Sequence, residues 1–84
     1  KAPILSKLGM SVTTAPNGGV VVTGVKDNHP ASGRLQVGDR ILEVNGQRVG
    51  SPTDLTRALH ERGKHLVLVV QRERRRIYVA LPRP

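Results

Sequence analysis

Gly33-Arg34-Leu35-Gln36-Val37-Gly38-Asp39-Arg40-Ile41-Leu42-Glu43-Val44-Asn45-Gly46 reads as a turn, a short strand and a second turn. Gly38-Asp39 punctuates the start, and Ile41, Leu42 and Val44 supply strand-forming bulk. Asn45-Gly46 closes the stretch with a dipeptide that tolerates φ > 0. The elements on either side are arranged around this strand.

Upstream, Met10-Ser11-Val12-Thr13-Thr14 alternates as a half-buried strand does, with Met10, Val12 and Thr14 on one face. Before it, residues 4–8 are an apolar-leaning lead-in broken by Ser6 and Lys7 and interrupted by Gly9. Ala15-Pro16-Asn17-Gly18-Gly19 is turn chemistry and predicts a hairpin into residues 20–25. That β-branched run is apolar on both faces, which predicts a central strand covered on each side. A polar loop with one helical turn at Ala31-Ser32 leads into the opening stretch.

Downstream, residues 47–50 read as a short link with Val49 tucked inward. Ser51-Pro52-Thr53-Asp54 starts a helix: Ser51 caps, Pro52 suits the first helical position, and Asp54 completes a capping-box spacing. Leu55, Ala58 and Leu59 share one helical face, and Gly63 with Lys64 reads as the stop. Residues 66–71 predict another buried strand. Arg72, Glu73, Arg74, Arg75 and Arg76 predict a solvated turn, and residues 77–81 a last strand with Ile77, Val79 and Leu81 inward.

Composition narrows the function. A chain of 84 residues has room for one core, so a single domain is expected over 1–84, with its core at about 7–81 and linker at the ends. The ends, Lys1-Ala2-Pro3 and Pro82-Arg83-Pro84, suggest a segment of a longer protein. One aromatic residue, Tyr78, is too little for base-stacking platforms, and the lack of cysteine removes thiolate and Cys-zinc chemistry. No apolar run approaches the roughly 18 residues of a membrane span. His29, His60 and His65 show no metal-ligand spacing, and no nucleophile motif accompanies the serines, so neither metal, cofactor nor catalytic residue is expected. The net charge of +8 is uneven: eight basic residues against Glu61 and Glu73 after residue 56, and six against four before it.

The pattern Gly-x-Leu-x-x-Gly-Asp-x-Ile-Leu-x-Val-Asn-Gly resembles the signature of PDZ domains, and the resemblance covers about residues 7–81. Leu8-Gly9-Met10 matches the family's carboxylate-binding loop, Pro30-Ala31 the start of its short helix, and residues 51–63 its long helix. The strand after the basic turn is similar to the permuted bacterial form, above all that of HtrA-type serine proteases. The fold implied is α+β and mostly β: a five- to six-stranded curled antiparallel sheet or partial barrel capped by one long and one short helix.

The function implied is capture of C-terminal tails or extended apolar segments by strand addition, recruiting substrate for or regulating a linked protease. The parent would be a homo-oligomer of the bacterial periplasm or envelope, with no small-molecule substrate. Peptide-binding residues carried over are Lys7, Leu8, Gly9, Met10, Ser11, Val12, Thr13 and Thr14 on the loop and strand. On the helix they are Pro52, Thr53, Thr56, Leu59 and His60. The alternative is a basic domain that binds nucleic acid or an anionic surface through the turn at Arg72 to Arg76.

Overall fold

The computed structural model describes residues 4–60 and 65–82. In chain order the elements are α1 (Ile4–Leu8), β1 (Met10–Thr14), β2 (Val20–Val25), β3 (Arg40–Val44), β4 (Gln47–Arg48), α2 (Pro52–Leu59), β5 (His65–Arg72) and β6 (Arg75–Pro82). The strands form one antiparallel sheet in the order β1-β2-β3-β5-β6, with β4 paired to β3.

The opening stretch forms the expected strand, and its two turns tie it to both neighbours. On one side Val22 N–H donates to Asp39 O and Gly38 N–H donates to Val22 O, both at 2.8 Å. On the other side Asn45 grips β5 twice. Its N–H donates to Val67 O, and its Oδ1 accepts from Val67 N–H, both at 2.8 Å. Asn45 and Gly46 stand at φ 49° and 83°, the two positive values that a tight β3–β4 hairpin requires. The link expected at Gln47-Arg48 is therefore a short strand; Val49 does point inward and is buried.

The core lies on one face of the sheet only. Leu66, Leu68, Val70, Val79 and Leu81 meet Ile41, Val44, Val20 and Val22 there, under Leu55, Ala58 and Leu59 of α2 and Leu8 of α1. Two expectations are corrected by this. In β2, Val20 and Val22 are buried but Thr23 is exposed. In β5, Leu66, Leu68 and Val70 are buried while Val67 is 40% exposed. Both helices pack on the same side, so neither of them covers the outward residues of these apolar runs, where Val21 and Val69 are half-buried.

α2 begins as its residues dictate. Ser51 Oγ accepts from Asp54 N–H at 3.1 Å, and Pro52 opens the first turn. Asp54 Oδ2 reaches back to Gly50 N–H at 3.2 Å, one residue before the cap. His60 closes the helix, and the stop expected at Gly63-Lys64 lies outside the described residues.

The short helix sits elsewhere than expected. Pro30 to Arg34 is a run of turns, held by Leu35 N–H donating to Ala31 O at 2.9 Å. The short helix is α1, in the lead-in, and Ser6 and Lys7 do not break it. Those two residues are simply its exposed side, and Ile4 and Leu5 pack against the core. Gly9 is its C-terminal cap: at φ 81° its N–H donates to Leu5 O at 2.9 Å and Ser6 O at 3.1 Å.

Candidate functional site

β1 is an edge strand. It pairs with β2 on one side, Met10 opposite Val25 and Thr14 opposite Val20, with an irregularity at Ser11/Val12. No described strand pairs with its other side. α2 packs against β1, β3 and α1, so the free edge runs alongside the helix with Gly9 at its head. A free edge exposes alternate N–H and C=O groups, which a further strand can satisfy.

Two open depressions lie along this region. One, of about 370 Å³, is lined by Ser6, Gly9, Met10, Ser11, Gly24, Val25 and Lys26. The other, of about 380 Å³, lies on α2 against Pro52, Thr53, Thr56 and Arg57. Between them the apolar residues are packed shut: Leu8 and Leu59 are fully buried and Met10 is 5% exposed, all in one core cluster. Val12 stays half-exposed; Ser11, Thr13, Thr14, Lys7, Thr53 and His60 face solvent. Thr56 spends its hydroxyl proton on Pro52 O at 3.0 Å, so that oxygen can only accept.

The loop at Gly9 is held on three sides. Lys26 N–H donates to Gly9 O at 2.7 Å, Ala31 N–H donates to Leu8 O at 2.9 Å, and the Gly9 N–H is taken by α1. A Cβ at Gly9 would run into the side chain of His29, whose Nδ1 lies 2.9 Å from Asp27 O. Ser6, Gly24, Val25 and Lys26 line the depression beside Gly9 without having been singled out in the sequence. The signal available was the cap: a helix ending in Gly9 places Ser6 one turn behind it.

The basic turn is smaller than residues 72–76. Only Glu73 and Arg74 form it, with Glu73 at φ 57°; Arg72 ends β5 and Arg75 begins β6. Arg72 is committed to the interior. Its Nε and an Nη donate to Oδ1 and Oδ2 of Asp39 at 2.9 and 2.8 Å, and the same Nη reaches Arg34 O at 3.2 Å. Burial by itself would push the Asp39 carboxyl up, but the hydrogen bonds from Arg72 and from Gln36 N–H outweigh it and hold it below the usual range. The Asp39 bond in turn raises the Arg72 guanidinium. Any anion-binding role of the turn therefore excludes Arg72.

An antiparallel sheet whose edge strand β1 lies beside an amphipathic helix, with a glycine-capped loop at the head of both, is a two-layer, mostly β domain with a lateral groove. The family model described as "PDZ domain" matches residues 6–82, and the chain belongs to the PDZ domain family.

The PDZ domain-containing protein C52A11.3 of Caenorhabditis elegans is 33% identical over 66 residues, which are 79% of this chain and 50% of that protein. The chain thus spans about half the length of that curated relative. Among solved structures, the HtrA3 PDZ domain bound to a phage-derived ligand (FGRWV) superposes with a TM-score of 0.80 at 27% identity. It covers 92% of this chain and 83% of that one. The HtrA-type protease AlgW with decapeptide superposes with a TM-score of 0.75 at 26% identity, over 92% of this chain and 29% of that one. The expected resemblance to HtrA-type domains holds in these structural neighbours.

Proposed function

We propose that the domain binds peptides by adding them as a strand to the outer edge of β1, in the groove between β1 and α2. The observation that carries this is the unpaired edge of β1 alongside α2, headed by Gly9. Two structural neighbours, the HtrA3 PDZ domain and AlgW, were solved with a peptide ligand, which supports the same use here. Main-chain hydrogen bonds would supply affinity, and side-chain pockets selectivity. No catalytic role falls to the domain in this reading.

The ligand is a C-terminal tail or an extended apolar segment. Its terminal carboxylate would sit at Leu8, Gly9 and Met10, with Lys7 adding charge. Its last side chain would enter among Leu8, Met10, Val12 and Leu59, which are packed shut, so Met10, an unbranched thioether chain, is the gate that must move. Burying a terminal Val, Leu or Ile there contributes about 1.5–3 kcal/mol. Together with strand bonds this suits micromolar affinity, roughly −8 kcal/mol. The Gly9 N–H can reach a ligand only by leaving Leu5 O and Ser6 O, so α1 competes with the carboxylate. Pro52, Thr53 and Thr56 face the ligand residue two before its end, and with no His among them an apolar residue is preferred there.

In the whole protein the module would recruit substrate for, or regulate, a linked HtrA-type serine protease, in an oligomer of the bacterial periplasm or envelope. The test is an NMR titration with C-terminal peptides carrying free-acid or amidated ends. Shifts gathering at residues 8–14 and 52–60, and weakened by amidation, are expected. Shifts elsewhere, or indifference to amidation, would refute the carboxylate-loop assignment.

A further inference from the structure

The face of the sheet turned away from both helices is not a generic polar surface. Residues paired across an antiparallel ladder point to the same side, so the register assigns this face row by row. Arg40, Gln71 and Arg76 form one row, and Glu43, Val69 and Tyr78 the next, with Arg48 beside Glu43. Val67 and Ala80 form a third. Tyr78 is 80% exposed and Val67 40%, two of the three large apolar side chains left exposed among the described residues.

Two adjoining hollows share Arg76 and Glu43, so three arginines face one carboxylate across them. One, of about 410 Å³, is lined by Val67, Val69 and Tyr78 beside Glu43 and Asn45. The other, of about 350 Å³, holds Arg40 and Arg48. Among the described residues no carboxylate lies within 4.0 Å of Arg40, Arg48 or Arg76, whereas Arg72, on the other side, is fully engaged.

We propose that this outer face is a second docking surface, which takes an acidic protein segment. An aliphatic side chain of the segment seats among Val67, Val69 and Tyr78 while Arg40, Arg48 and Arg76 meet its carboxylates. Charge complementarity selects the occupant. A second copy of a chain of net charge +8 is repelled. Single-stranded nucleic acid stacks its bases on several aromatic platforms, whereas the centre here is aliphatic around one tyrosine, and a duplex held by its phosphates would leave that apolar centre unused. This surface is separate from the β1 groove, and its occupancy does not depend on that reading.

The probe is a blocked acidic pentapeptide, acetyl-Glu-Glu-Leu-Glu-Glu-amide, whose capped ends cannot use a carboxylate loop. In ¹⁵N NMR titrations it is expected to shift Val67, Val69, Arg76 and Tyr78 and leave Met10 to Thr14 unmoved. Tyr78→Ala and Arg76→Glu should each weaken it at least about fivefold while a free-acid ligand of the β1 groove binds as before. Failure to shift these residues overturns the proposal. So does equal binding of acetyl-pentaglutamate-amide, which leaves the apolar centre unused. Tighter binding of a DNA duplex or of phosphatidylglycerol vesicles at the same residues overturns it too.

Discussion

Arg72 closes on Asp39 with two hydrogen bonds, 2.9 Å to Oδ1 and 2.8 Å to Oδ2, joining the end of β5 to the turn that starts β3. The Asp39 side chain is 2% accessible and that of Arg72 29%. Gln36 N–H also donates to Oδ2 at 2.9 Å, so the carboxylate's strong acceptor sites are occupied. This fork explains the aspartate in Gly38-Asp39.

Asp39→Asn removes the buried carboxylate's charge, leaves the part-exposed Arg72 guanidinium unpaired and sets an amide N–H₂ against hydrogen-bond donors. The variant is expected to cost about 1–3 kcal/mol, measured by urea unfolding with an unchanged slope. The pH dependence has a fixed sign. The native Asp39 carboxyl lies below its ordinary value, so its stabilisation is complete above the ordinary carboxylate range and is lost as pH falls through the lowered value. Arg72 stays charged throughout. Thermal melts between about pH 6 and 2 should drop less steeply for Asp39→Asn than for the parent; parallel curves would remove Asp39 from the acid transition.

Gly9→Ala should be the most damaging single methyl at the loop. The residue stands at φ 81°, and the added carbon meets the His29 side chain. The left-handed backbone costs about 1–2 kcal/mol and the overlap adds to it. A melting temperature within a degree of the parent would show that the loop relaxes freely.

Ser6 offers a graded handle on α1 because it is an exposed residue of that helix, and since it also lines the depression beside Gly9 the free-acid and amidated peptides are compared. Ser6→Ala stiffens α1 and Ser6→Gly loosens it, each by a few tenths of a kcal/mol. If the ligand carboxylate must take Gly9 N–H from α1, free-acid peptides should bind about twofold more weakly to Ser6→Ala and about twofold more tightly to Ser6→Gly. Amidated peptides should respond less. Identical responses by both peptide types would separate α1 from carboxylate capture.

Selectivity along α2 gives a further check. Thr56 has spent its hydroxyl proton on Pro52 O, and Thr53 stands exposed at the helix start. Peptides with Val or Leu two residues before the end should bind better than those with Ser or Thr, and Thr53→His should narrow the gap. Tenfold tighter binding of the Ser/Thr peptides to the parent would count against this placement of the groove.

Much of this domain was legible from local chemistry. Asn45-Gly46 needs two positive φ angles, Ser51 with Asp54 satisfies a helix start within four residues, and Ala15 to Gly19 turns a hairpin; none of these depends on distant contacts. The candidate site was legible only as a register, because Leu8, Met10 and Leu59 look like ordinary core residues and are in fact buried as such. Tertiary structure decided what side-chain pattern leaves degenerate. An apolar run such as residues 66–70 does not say whether one face or two will be covered, and here both helices fell on the same side, leaving Val67 and Tyr78 in solvent. Nor does a run of arginines say which one turns inward. Asp39 lies 33 residues from Arg72 in sequence, and only the fold brings that carboxylate within reach.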